Sequence, residues 1–175
     1  MRHGAPIIRL PTGSPTAQPE QSSREPSLNV SVLRHARTPA EVEACFPVMQ
    51  QLRPHLQTPA DLLARVRRMA GEHYQILCVW QHDAVIAAAG YRLQENLIYG
   101  RFLYVDDLVT RDEQRGQGHG ARLLDELAHI AEQENCAKLV LDTGLSNALA
   151  QRFYFRQGLL SGAMRFSSPI NKEPI

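Results

Sequence analysis

The chain has 175 residues, enough for one domain with a sizeable core and short for two. Its 19 Lys and Arg against 18 Asp and Glu create no bulk field that would draw nucleic acid or a membrane surface, so the expected partners are small molecules. Three cysteines, Cys45, Cys78 and Cys136, stand in unrelated contexts, which fits reduced thiols rather than a disulfide framework or a zinc site, and no metal is implied.

Residues 1–27 hold five of the eleven prolines, many Ser, Thr and Gln, and only Ile7, Ile8 and Leu10 as large apolar residues, which reads as a disordered tail ahead of a domain at 28–175. That short apolar run is broken by Arg9 and Pro11, so it makes no signal segment; no later stretch reaches membrane-spanning length, and a cytoplasmic chain is expected. Leu28 to Ala36 alternates as a half-buried strand does. Thr38-Pro39-Ala40-Glu41 reads as an N-cap with proline at the first helical position, opening a helix to about Arg53, before Pro54. Thr58-Pro59-Ala60-Asp61 repeats the signature and opens a second helix through Met69, ending near Gly71. Tyr74 to Gln81 and Ala84 to Leu93 are apolar runs joined at His82-Asp83, a hairpin, and the small residues of Val85 to Gly90 allow close packing. Arg101 to Thr110 is the next strand. A helix over about 121–134 carries Leu123, Leu124, Leu127, Ile130 and Ala131 on one stripe, so it packs on the sheet. Lys138 to Asp142 reads as a short parallel strand, Asn147 to Gln157 as a helix stopped by Gly158, and Leu159 to Phe166 as a last strand.

Between the strand 101–110 and the helix that follows lies Arg115-Gly116-Gln117-Gly118-His119-Gly120-Ala121. The first backbone N–H groups of a helix have no intrahelical acceptor, and the macrodipole adds partial positive charge. Phosphate oxygens are therefore favoured there once glycines let them approach, and Arg115 adds a formal charge at the rim. The pattern Gly116-x-Gly118-x-x-Ala121 also meets a loose dinucleotide fingerprint, with Asp142 at a plausible distance for a ribose. Against that, the polar loop from Thr110 to Arg115 separates glycine and strand, and a three-strand meander precedes both. No Lys-Ser or Lys-Thr follows, so a P-loop is excluded. A mere helix entry would need one glycine, not three in five residues. A pyrophosphate-bearing ligand of another kind ranks ahead of a nicotinamide cofactor, and the plain helix entry last.

Asp106 and Asp107 interrupt a strand that otherwise reads as buried on both faces. Simple alternation points them to opposite faces, and neither belongs in a core; a β-bulge or strand end would turn one toward solvent, and the alternative is that one lines a cleft and meets a cationic amine. Downstream, Asn147, Ala150 and Tyr154 fall at i, i+3 and i+7 and look in one direction, with Gly158-Leu159 closing the helix. Tyr154 in its Phe-Tyr-Phe cluster reads by itself as a core aromatic, and Asn147 has a plain role as an N-cap.

Arg-x-x-Gly-x-Gly at 115–120, followed by Asn147-x-x-Ala150-x-x-Phe153-Tyr154-x-x-x-Gly158-Leu159, resembles motifs A and B of the GNAT superfamily of acetyl-CoA-dependent N-acetyltransferases, over roughly residues 28–168. The resemblance implies an α/β fold with a mixed, twisted, mostly antiparallel sheet and helices on both faces. It implies acetyl-CoA bound at Arg115, Gly116, Gln117, Gly118, His119, Gly120 and Ala121, with the backbone of Leu108, Val109 and Thr110 along the pantetheine and Asn147 contacting that arm. It further implies direct attack by a primary amine of a small molecule in a ternary complex, with Tyr154 protonating the departing thiolate. The run Tyr104-Val105-Asp106-Asp107-Leu108 resembles the acidic strand of polyamine-type members, which puts Asp106, and after it Asp107, against the acceptor. Two other readings are a non-catalytic coenzyme A-binding sensor and, behind it, a nicotinamide-dependent oxidoreductase. The resemblance also makes a homodimer possible.

Overall fold

The computed structural model describes Met1 and residues 30–170; the rest of the proline-rich stretch, and the expectation attached to it, lie outside the described residues. Five strands form one sheet in sequence order, β1 (Ser31–His35), β2 (Tyr74–Gln81), β3 (Ala84–Asn96), β4 (Gly100–Thr110) and β5 (Leu139–Leu141), antiparallel except for the parallel β4–β5 pair. Helices cover both faces, as expected. α1 (Pro39–Ala44), α2 (Phe46–Leu52) and α3 (Pro59–Met69) lie on one, α4 (His119–Gln133) on the other, and α5 (Ala148–Arg156) follows β5.

Local chemistry accounts for most of these boundaries. Thr38 caps α1 in a full capping box, its side chain accepting from Glu41 N while the Glu41 carboxylate accepts from Thr38 N. The single helix expected over 39–53 is instead two, meeting at Cys45. Pro47 lies at the first turn of α2 and has no N–H to give to Glu43, so the ladder breaks there and restarts. His82 turns the β2–β3 hairpin with φ of 55°, and Gly158 follows α5 with φ of 80°.

The α4 face of the sheet packs Leu77, Val79, Tyr91, Leu103 and Val105 against Leu123, Leu127 and Ala131 of the helix. Each fully buried leucine there contributes about 1.5–3 kcal/mol. The opposite core holds Val42, Val48, Met49 and Leu62 against Tyr74, Ile76, Cys78, Trp80 and Val109.

The last strand expected at Leu159–Phe166 is not formed. The segment runs without a strand partner, and Leu160, Met164 and Phe166 point outward at 70–86% exposure. Apolar alternation is present, but a strand needs a neighbouring backbone to pair with, and β5, only three residues long, pairs with β4 alone among the described residues.

Candidate active site

β4 and β5 run together only briefly. Leu103, Tyr104 and Val105 pair with Leu139, Val140 and Leu141, and β4 then continues to Thr110 with no strand on that edge among the described residues. Asp106 and Asp142 are thus the first residues past the last paired positions, one on each diverging strand. Between them opens a cleft of about 460 Å³ lined by Arg92, Gln94, Tyr104, Asp106, Asp142 and residues 163–165. The backbone of Leu108, Val109 and Thr110 lies beyond this opening, on the stretch of β4 that pairs with β3 and has no strand on its other edge among the described residues.

The two carboxylates do not face opposite sides. The β3–β4 register jumps from Gly90 opposite Asp107 to Tyr91 opposite Val105, so Asp106 is the extra residue of a β-bulge. Its carboxylate accepts from Arg92 Nε at 2.8 Å. Asp107 accepts from the Tyr74 hydroxyl at 2.8 Å and from Arg53 Nε at 2.8 Å. Tyr74 and Arg92 are a direct cross-strand pair, so both acids reach the same face of the sheet. The bulge overrides the alternation on which the opposite-face expectation rested.

The environments of the acids differ sharply. Asp107 is the one buried charged residue among the described residues, and both of its oxygens are held. Asp106 keeps a side exposed to the cleft, and burial pushes its carboxyl above the ordinary range against the opposing pull of Arg92. Across the opening, Asp142 accepts from the Tyr104 hydroxyl at 2.5 Å and is ion-paired with Arg165 of the C-terminal segment. Burial and that hydrogen bond push the Tyr104 phenol up to about 12. Asp142 is therefore committed at the cleft and not to a ribose.

At the other end of β4, a 3₁₀ turn (Asp112–Gln114) leads into the glycine turn. Gly116 and Gly118 have φ of 78° and 83°, a region L side chains rarely adopt. A Cβ at either would meet nothing within 4 Å among the described residues, so the concavity is open. Gly118 is the N-cap of α4, and no side chain caps the helix there; the first intrahelical bond is Arg122 N to Gly118 O. The leading N–H groups of α4 are thus available to an anion, which suits the pyrophosphate of coenzyme A. Gly120 serves packing instead, since a Cβ there would stand 3.2 Å from Phe153 Cζ, and this contact ties the head of α4 to α5. Arg115 is exposed and paired with Asp112 at 2.6 Å, while Gln117 is exposed. Burial and the neighbouring Arg122 lower the pKa of His119, so its ring is neutral near pH 7 and adds no charge.

On α5, Asn147 fills the plain role, its side chain accepting from Ala150 N at 3.2 Å. Tyr154 is half-buried beside Phe153, ring centroids 5.4 Å apart, and burial raises its pKa so that the phenol stays protonated. A second hollow, on the outer side of α5 around Phe155, holds two arginines but no acid.

Sequence reasoning does not find Arg53, Tyr74, Gly90 or Arg92. Arg53 lies 54 residues from its acid. Arg92 and Tyr104 could be paired from the β3–β4 hairpin, but the bulge that brings Asp106 to Arg92 has no local signature.

Residues 39–159 match the family model described as the acetyltransferase (GNAT) family. Among curated proteins, the chain is 27% identical over 126 residues to an uncharacterized N-acetyltransferase, YhdJ, of Bacillus subtilis, covering 71% of this chain and 89% of that one. It is 27% identical over 107 residues to an aminoglycoside N(6')-acetyltransferase type 1 of Serratia marcescens, covering 58% and 73%. Among solved structures, the aminoglycoside N-acetyltransferase AAC(6')-Iy in complex with CoA superposes with a TM-score of 0.73 at 14% identity, over 84% of this chain and 99% of that chain. The family-model match over residues 39–159, in keeping with the splayed β4–β5 pair and the glycine turn heading α4, makes the chain a member of the GNAT acetyltransferase family, and so an acyltransferase.

Proposed function

We propose that the protein is a cytoplasmic N-acetyltransferase that moves the acetyl group of acetyl-CoA to a primary amine of a small cationic molecule, by direct attack in a ternary complex. The observation that carries the reading is the cleft at the β4–β5 divergence. It presents the Asp106 carboxylate, which Arg92 holds at one oxygen, on a strand whose next residues lead to the glycine turn at the start of α4. The similarity to aminoglycoside acetyltransferases supports a polyamine-like acceptor. Acetyl-CoA supplies the thioester, held by the glycine turn 115–121, by the free backbone edge of Leu108 to Thr110 and by the Asn147 end of α5.

A primary amine arrives as an ammonium ion near neutral pH and must lose a proton before it attacks. Asp106 attracts that cation and takes the proton, directly or through water; its raised pKa brings it closer to the working range of a base. Asp107, held on both oxygens, keeps the strand in shape. The amine nitrogen then bonds to the thioester carbonyl carbon, an N–H group of β4 stabilises the oxyanion, and the C–S bond breaks as Tyr154 gives its proton to the leaving thiolate; the second nitrogen proton passes to water as the amide forms, and water reprotonates the Tyr154 phenolate. A phenol kept neutral by burial suits that task. No cysteine is needed as an intermediate carrier.

Asp106→Asn, nearly isosteric, tests the assignment. It is expected to raise KM for diamines and aminoglycoside-like amines more than for amines of neutral body. It also removes the acid-side limb of kcat against pH, because the wild-type base is lost as pH falls through its pKa. Wild-type rates and an unchanged limb with every amine would make the carboxylate structural.

A further inference from the structure

We propose that Arg53 is a positioning residue of this acetyltransferase: from the end of α2 its guanidinium holds both halves of the β4 bulge and so fixes where the Asp106 carboxylate stands in the cleft. The inference rests on the reading of Asp106 as the base.

Arg53 is the C-cap of α2, its N–H donating to Met49 O. Its Nε donates to Asp107 Oδ1 at 2.8 Å and its Nη2 to the main-chain carbonyl of Asp106 at 2.9 Å. The extra residue of a bulge is left out of the strand ladder, so its carbonyl needs a partner from elsewhere. One planar fork supplies that partner and clamps the neighbouring carboxylate, and its two donors are fixed relative to each other as no ammonium can match. The clamp has a second jaw. The Tyr74 hydroxyl holds the other oxygen of Asp107 from within the core, and it has room only because position 90 is glycine, where a Cβ would fall 2.0 Å from that hydroxyl. Asp107 is thereby held at both oxygens, and the peptide that joins it to Asp106 is held at its carbonyl.

One further observation gives the clamp a role in activity beside its share in stability, which is real because Asp107 is buried beneath the half-exposed arginine. The same turn of α2 also touches the approach to the glycine turn: the Gln51 side-chain oxygen accepts from Asp112 N at 3.2 Å, and Asp112 pairs with Arg115. The end of α2 therefore spans the distance between the base and the anion-binding turn.

The test uses full-length Arg53→Gln, Arg53→Lys and Tyr74→Phe beside Asp106→Asn, with kcat, both KM values and the pH profile of kcat for one diamine. A misplaced catalytic group costs up to about 100-fold in rate, so Arg53→Gln is expected to lower kcat about 10- to 100-fold while KM for acetyl-CoA stays at wild type. It should also move the acid-side limb of kcat to higher pH, because a cation near Asp106 is gone and the Asp107 charge is left uncompensated. The other groups facing Asp106, namely Arg92, Tyr104, Asp142 and Arg165, are unchanged in this variant. Arg53→Lys keeps the charge without the fork, so the limb stays in place and kcat recovers only in part. Tyr74→Phe opens the second jaw without touching Arg53 and lowers kcat several-fold; it serves where Arg53→Gln does not fold. Wild-type kcat or an unmoved limb in Arg53→Gln, or wild-type kcat in Tyr74→Phe, overturns the inference. If these variants are wild type and Asp106→Asn is slow, only the role of Arg53 fails. If Asp106→Asn is itself as fast as wild type, the reading of the base fails first.

Discussion

Replacing Gly90 by alanine adds one methyl group at the most crowded point of the acid cluster. The new Cβ would lie 2.0 Å from the Tyr74 hydroxyl oxygen, 2.7 Å from Tyr74 Cζ and 2.7 Å from Asp107 Oδ2. Real side-chain carbons do not approach so closely, and none of these atoms is the loose end of a surface side chain. Tyr74 is only 5% exposed and Asp107 8%. Either the tyrosine ring moves and gives up its 2.8 Å hydrogen bond to Asp107, or β3 draws away from β2 and β4. Overpacking costs about 1–3 kcal/mol, and stripping a donor from a buried carboxylate costs about 1–3 more, so the expected loss is about 2–6 kcal/mol. Urea denaturation at fixed pH measures it, read as a shift in midpoint at constant slope. Tyr74→Phe alone removes the hydroxyl from the same buried carboxylate and costs about 1–3 kcal/mol. In the double variant the worst clash is gone but the ring carbon and the carboxylate remain close. The double variant should therefore cost less than the sum of the single changes by about 0.5–3 kcal/mol. A Gly90→Ala protein within about 0.5 kcal/mol of wild type, or strictly additive changes, would refute the packing argument.

Two further outcomes follow from the cofactor side. Acetyl-CoA at one hundred times its Kd should stabilise the wild type by about 2.7 kcal/mol in a thermal melt, and Gly118→Val should lose that shift because its φ of 83° disfavours a branched residue where backbone must meet phosphate; a full shift in the variant, or one produced by NADH, would contradict this use of the turn. Tyr154→Phe should keep acetyl-CoA affinity within a few-fold and lower kcat about 10²- to 10⁴-fold as a lost general acid does; unaltered kcat would leave Tyr154 as a packing partner of Phe153.

Features encoded locally were legible in the chain. The capping signatures at Thr38 and Thr58, the His82 hairpin, the glycine turn and the stripe of α4 each depend on residues within a few positions, and each appears as read. Pro47 splits the first helix for an equally local reason, overlooked because the apolar spacing runs through it. What could not be read depends on register. Alternation assigns Asp106 and Asp107 to opposite faces, and the single-residue slip opposite Gly90 reverses that. The partners that then give the two acids different environments, Arg53, Tyr74 and Arg92, come from three separate elements. The segment after Gly158 has the alternation of a strand but lacks a partner backbone, a property of the fold and not of the segment.

The central claim is tested most directly by following free thiol released from acetyl-CoA by the purified full-length protein, with and without each of a panel of diamines, aminoglycosides and amines of neutral body. The account predicts release that depends on the amine, is fastest with the cationic acceptors and is matched mole for mole by acetylated product. Thiol release that is indifferent to amine, or binding of acetyl-CoA with no turnover by any member of the panel, would contradict it.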